Sequence, residues 1–287
     1  MELRKVLFLG GSIGYPSVQI RCVDLARRLG CDFQLGAHTA QEIPDKYSIF
    51  VCVKPRLRQT ELSALARRGC VVWDIIDDLP PAANVAVYLA SSSLAQNLFS
   101  KYGRVELIPH YHCNFEGTIN PPGLRRPVWL GSRHWLPLIQ GFPHETIFVE
   151  NLRREDIVQV FRQTGIGLNL RGLRNLLRFA NHTADRRKQL NFTRKMFDKH
   201  IALNTGIKLI NCLGFGIPSI SSDEPAYHEF GENCTLFSNL RDCAKWVRAL
   251  QHDDDLYSDL RRQCLRQGKK FHIDAIANKY RTLFASL

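Results

Sequence analysis

The sequence contains no apolar run of the roughly 18 residues that a membrane-spanning helix needs, so no spanning segment is expected. No CxxC pair occurs among its nine cysteines, which are scattered singly and odd in number. Reduced thiols are therefore expected rather than disulfides or a zinc site. The N-terminus, MELRKVLFLGG, lacks the long apolar core and small-residue cleavage site of an export signal, so a cytoplasmic chain is expected. A GxGxxG fingerprint is missing as well. The first apolar run ends in Gly10-Gly11-Ser12-Ile13-Gly14, a spacing that argues against nicotinamide binding. In the basic stretch from Arg171 to Lys199 the aromatic residues are not interleaved with the cations in the way that single-stranded nucleic-acid platforms require, so nucleic acid is not an expected partner.

What is present is an ordinary globular composition, 45% hydrophobic and 23% charged over 287 residues. At about 150 residues per domain this makes roughly two domains, or one large one. The net charge of +12 is uneven: residues 1–124 hold 13 basic and 11 acidic side chains, and residues 125–287 hold 26 and 16. A cationic second half attracts polyanions, phosphorylated ligands or an anionic membrane surface, or is simply a solvated face.

Strand and helix patterns alternate. Short apolar runs at 5–9, 32–35, 47–53, 70–76, 85–90 and 104–108 read as buried strands. Helical periodicity marks 17–29, 57–68 and 92–102 between them, the last opened by a Ser cap. Residues 109–126 break the pattern with three prolines, two glycines and no periodicity, as a linker does. Strands are then expected at 128–130, 146–149, 166–170, 218–221 and around Leu236, with helices at 155–163, 204–215, 239–251, 254–267 and 273–284. Near-continuous apolar strands separated by helices imply parallel sheets covered on both faces. The expected fold class is α/β, two Rossmann-like βα domains over 1–110 and 127–287 joined by a linker at 111–126. Ligands of such folds bind outside the carboxyl ends of the strands, so a cleft between the domains is the default site.

The segment Asn204–Phe237 carries the most chemistry. Asn204 or Thr205 can cap a helix, and Gly206 lets an anion approach its first amides. Lys208 stands in the first turn, where a cation opposes the helix dipole, a placement better explained by a phosphate partner than by helix stability. The alternative is an ordinary helix–turn–strand unit. This segment resembles the donor-binding domain of GT-B glycosyltransferases, especially the large group of retaining, nucleotide-sugar-dependent enzymes with a family-4-like donor domain. The resemblance rests on Lys208-Leu209-Ile210-Asn211, on Gly214-Phe215-Gly216-Ile217-Pro218, on Pro225-Ala226-Tyr227-His228-Glu229, and on Gly231-Glu232-Asn233 before Leu236-Phe237. The family's ribose-binding glutamate falls on Asn211, and its second acid on Leu203. In the first half, the glycine-rich turn with Gly11 and Gly14, followed by Arg21, resembles the family's first loop. Arg21 could fork onto a phosphate or sugar hydroxyls there.

The resemblance implies a sugar transferred from a nucleotide sugar to a glycan or lipid-linked acceptor, in cell-surface polysaccharide or glycoconjugate synthesis, with no metal or other cofactor. Arg133, Thr205, Gly206, Lys208 and Asn211 are the expected donor-binding residues, and Gly11, Gly14 and Arg21 the acceptor-side ones. Asp77 and Asp78, at the end of an apolar run, could act as base on an acceptor hydroxyl or hold sugar hydroxyls, or could form an acidic cap or turn. A nearby anionic membrane surface would suit the basic second half. A non-catalytic glycan- or partner-binding relative is the competing expectation, since the acids at 203 and 211 are missing. His110, His112 and Cys113 have neither a carboxylate nor a CxxC partner, and read as structural or surface groups rather than metal ligands.

Overall fold

A computed structural model describes residues 5–76, 84–131, 145–148, 154–169, 206–231, 234–237 and 240–287. The chain divides into two compact units, Met1–His110 with Ile273–Leu287, and Tyr111–His272.

The first unit is built on a six-stranded sheet in the order β2-β1-β3-β4-β5-β6. The strands are β1 (Val6–Gly10), β2 (Asp32–Leu35), β3 (Ile49–Val53), β4 (Cys70–Asp74), β5 (Val87–Ala90) and β6 (Val105–Leu107). Every pairing is parallel, with Val6 opposite Ile49 and Leu7 opposite Asp32. All five residues of β1 and of β3 are buried, as expected of strands covered on both faces. Helix α1 is composite: an α turn at Pro16–Val18, a π-helical segment at Gln19–Asp24 and an α segment at Leu25–Leu29. It ends at Gly30, whose φ of 70° is the left-handed cap that glycine adopts without strain. Helices α2 (Gln59–Ala66) and α3 (Ser93–Phe99) follow β3 and β5; the Ser92 Oγ accepts the Ala95 N–H at 3.1 Å and caps α3.

The second unit carries a five-stranded parallel sheet ordered β11-β10-β9-β7-β8. Its strands are β7 (Pro127–Gly131), β8 (Glu145–Phe148), β9 (Ile166–Asn169), β10 (Ser219–Ser222) and β11 (Thr235–Phe237). Its helices are α4 (Arg154–Arg162), α5 (Ile207–Phe215), α6 (Pro225–His228), α7 (Leu240–His252) and α8 (Asp254–Gly268). Successive residues of β7 feed separate cores: Val128 joins Val158, Phe161, Cys212 and Phe215, and Trp129 joins Cys243, Val247 and Leu250. Phe161 and Phe215 stack with centroids 5.4 Å apart. None of the described helices is long and apolar enough to cross a membrane.

Two features differ from the expected division. The last helix, α9 (Ile273–Ala285), belongs to the first unit: Tyr280 and Phe284 pack on Phe8 of β1 at centroid distances of 5.9 and 6.3 Å. Residues 111–126 are part of the second unit rather than a free linker. Asn120 Nδ2 donates to the carbonyls of Phe161 and Thr164 at 2.7 and 2.8 Å, and Arg154 donates to the Cys113 carbonyl at 3.0 Å while lying over the Phe115 ring. The segment has no periodicity because side chains, not a helix or sheet, satisfy its backbone.

Candidate functional site

In the second unit the connection from β7 to β8 runs to one side of β7, and the path to β9 runs to the other. The carboxyl ends of β7 and β9 therefore flank a topological switch point, where open parallel sheets bind ligands. Helix α5 links β9 to β10 and brings its N-terminus to the same sheet edge. Gly206, not Asn204 or Thr205, is its N-cap residue, at φ 60° and ψ 12°. Gly206 has no side chain with which to cap the helix and no acid stands in the first turn, where Lys208 supplies the charge. A positive dipole end and a cation together define an anion seat. At the ends of β9 and β10, Asn169 Nδ2 donates to Ser221 Oγ at 3.1 Å, and Ser222 Oγ donates to the Asn169 carbonyl at 3.3 Å and to Glu224 at 2.9 Å. Glu224 is 5% exposed, and the Asn169 Oδ1 is buried with no hydrogen-bond partner. Neither residue was anticipated. The available signal was a carboxylate directly before the helix-opening Pro225, and an amide ending an apolar strand.

Asn211 does not face that edge in the way expected. Its Oδ1 accepts the Cys113 N–H at 2.8 Å, and Asn114 Nδ2 bonds the Gly214 carbonyl at 2.7 Å, so the 113–114 segment is fastened to the side of α5. An amide rather than a carboxylate suits a neutral N–H partner at a residue only 9% exposed. Arg133, Leu203 and Thr205 lie outside the described residues.

The first unit has its own switch point, between β1 and β3. Gly11 follows β1 there, and a Cβ on it would sit 2.2 Å from the Lys54 carbonyl oxygen. Only glycine permits that approach. Lys54 itself holds φ 46°, an uncommon conformation for a residue with a side chain, and its ammonium lies over the exposed Tyr15 ring at 5.3 Å. Gly14 is exposed and donates its N–H to Ser12 Oγ at 3.3 Å. Arg21 departs from expectation. It is fully buried in the π-helical segment, pairs with Asp74 at 2.7 Å, and donates to the carbonyls of Ile108 and Pro109 at 3.0 and 2.9 Å. The Tyr280 ring lies 5.8 Å from its guanidinium. Burial pushes the Asp74 carboxyl upward and Arg21 pulls it down. This arginine closes the core of the unit and is not offered to a ligand. Asp77 and Asp78 lie outside the described residues.

His110 and His112 are both buried. Burial and the nearby Arg21 hold His110 far below the usual imidazole range, and burial with the neighbouring His272 lowers His112 to about 4. The His112 ring packs on Gly214, where an added Cβ would lie 2.4 Å from it.

Two Rossmann-like units with parallel sheets, the second carrying a glycine-started helix at its switch-point edge, make up the GT-B fold of glycosyltransferases. The chain superposes on the Anabaena protein HepE, solved with UDP and glucose, at a TM-score of 0.64 and 14% identity over 99% of this chain and 100% of that one. A glycosyltransferase from Rickettsia africae ESF-5 gives 0.59 at 10% identity, covering 98% and 97%. The sucrose-phosphate synthase of Thermosynechococcus elongatus gives 0.50 at 12%, covering 99% of this chain and 74% of that one. No protein-family model and no curated protein matches the sequence.

Proposed function

We propose that the chain is a glycosyltransferase that takes a sugar from a nucleotide donor, of the uridine diphosphate type, and passes it to a glycan or lipid-linked acceptor. The observation that carries this reading is the α5 N-terminus, with Gly206 as its cap and Lys208 in its first turn, within a fold shared end to end with a protein solved with UDP-glucose. The leaving group of such a reaction is a nucleoside diphosphate, and the developing charge has to be met by fixed donors. Lys208, the first amides of α5, Arg133 and Thr205 are the groups we assign to that task, with no metal required. Asp77 or Asp78 would take the proton of the acceptor hydroxyl, with Gly11 and Gly14 leaving room for the acceptor at the edge of the first sheet. Isothermal titration of UDP into the Lys208→Ala variant tests the donor seat. Affinity should fall more than tenfold at an unchanged melting temperature, and unchanged affinity would remove Lys208 from the site.

A second reading, a GT-B scaffold that binds a glycan or partner without catalysis, is favoured by one observation: the Asn211 oxygen is already bonded to the Cys113 N–H, at the position where the resembled family keeps a carboxylate. Release of free UDP from UDP-glucose, with and without candidate acceptors, separates the two. Binding without turnover across a panel of donors would favour the scaffold.

A further inference from the structure

We propose that a cavity between the 229–231 segment and the C-terminal part of α8, apart from the strand-end seat, binds a small phosphomonoester that also carries hydroxyl groups, of sugar-phosphate size. The cavity measures about 390 Å³, towards the small end of ligand pockets. One wall is made by α8 and the turn after it. Gln263 and Gln267 are one helical step of four apart, as are Arg266 and Lys270, so two amides and two cations line that side. The other wall is Glu229 and Gly231, with Phe230 between them packed on Phe271 at 5.8 Å. Beneath Phe230 lies the apolar cluster of Leu209, Ile210, Leu213 and Tyr227, a firm floor.

The lining suits a ligand with two chemically different ends. Arg266 and Lys270 offer the charge and the fork of donors that a phosphate takes. Glu229 on the facing wall would repel a second phosphate and instead accepts from hydroxyl groups. Gln263 Oε1 sharpens this: it is buried and has no hydrogen-bond partner, an acceptor that costs stability until a donor reaches it. Gly231 holds φ 52°, with open space where a Cβ would stand. Glu229 and Gly231 belong to the Pro-x-x-x-Glu and Gly-Glu-Asn motifs, which the donor seat leaves unused. The cavity thus gives these two residues a task of their own.

The test titrates glucose 6-phosphate, glucose and inorganic phosphate into the full chain at low salt, and into two variants. Glucose 6-phosphate should bind, inorganic phosphate should bind more weakly, and glucose should not bind. Arg266→Ala with Lys270→Ala should weaken glucose 6-phosphate at least tenfold while UDP binding stays as in the wild type. Gln263→Leu should bring glucose 6-phosphate down to the affinity of inorganic phosphate. The proposal is overturned if none of the three binds, if the double variant binds glucose 6-phosphate as well as the parent does, or if the two phosphates bind equally in the wild type. Since UDP is followed in the same samples, failure here leaves the donor reading untouched, and the reverse holds too.

Discussion

Replacing Arg21 with alanine gives the sharpest test of the energetics of the first unit. The side chains of Arg21 and Asp74 both have 0% exposure, and the pair closes at 2.7 Å. Alanine would strand the Asp74 carboxylate without its cation and deprive the Ile108 and Pro109 carbonyls of their donor. Removing one partner of a buried pair costs about 3–5 kcal/mol. At roughly 4 °C per kcal/mol for a unit of this size, the melting temperature should drop by about 12–20 °C. The loss should also depend on pH. Burial already pushes Asp74 upward, and without Arg21 only the Tyr280 hydroxyl, 3.4 Å away, still opposes that push, so its folded pKa lies above its unfolded one. A raised carboxyl favours the fold below its unfolded pKa, and that contribution fades as pH rises through the folded value. The gap between variant and parent should therefore be smaller at pH 5 than at pH 8. Replacing the pair together, Arg21→Met with Asp74→Leu, should recover most of the loss, because no charge is then left buried. Urea denaturation of the three proteins at both pH values completes the comparison. If Arg21→Ala melts within 2 °C of the parent yet loses ligand affinity, the structural role is wrong and a binding role returns.

The remaining predictions concern the glycine turn and the buried rings. Gly11→Ala should destabilise by about 1–3 kcal/mol, since its Cβ would overlap a backbone oxygen, whereas Gly14→Ala, with Ser12 Oγ 3.6 Å away, should stay within about 0.5 kcal/mol; equal urea midpoints for the two would refute the close-approach argument. His110 and His112 are held neutral in the fold, so their contribution is complete above the ordinary imidazole pKa and is lost as pH falls. Between pH 7 and pH 5 the His112 ring should cost about 2 kcal/mol. His112→Phe should flatten the acid loss by about that amount, and an unchanged pH slope would show that the ring is already charged in the fold.

The strands were the most legible part of the sequence, because a buried parallel strand is a short run of apolar residues with little alternation, and β1, β3 and β5 are runs of that kind. Helix ends were readable where a side chain marks them, as Ser92 does for α3, and shifted where backbone conformation alone does the work, as at Gly206. Long-range partners were not readable. Arg21 looks like a ligand-facing cation just after the glycine-rich turn, and only the fold brings Asp74, 53 residues away, against it. Asn211 looked like a weakened ligand contact because its partner, the Cys113 N–H, is a backbone group with no signature. For the same reason 111–126 passed for a linker: its anchors are the side chains of Arg154, Asn120 and Arg261.

The placement of α9 has a consequence for how the chain is made. The second unit is one uninterrupted stretch, whereas the first waits for Tyr280 and Phe284 to cover Phe8 and for the Tyr280 ring to seal Arg21. Synthesis proceeds from the N-terminus and domains fold as units. The lobe that leaves the ribosome first is thus the last to be finished, and until the closing helix arrives its sheet must stay soluble with one flank bare.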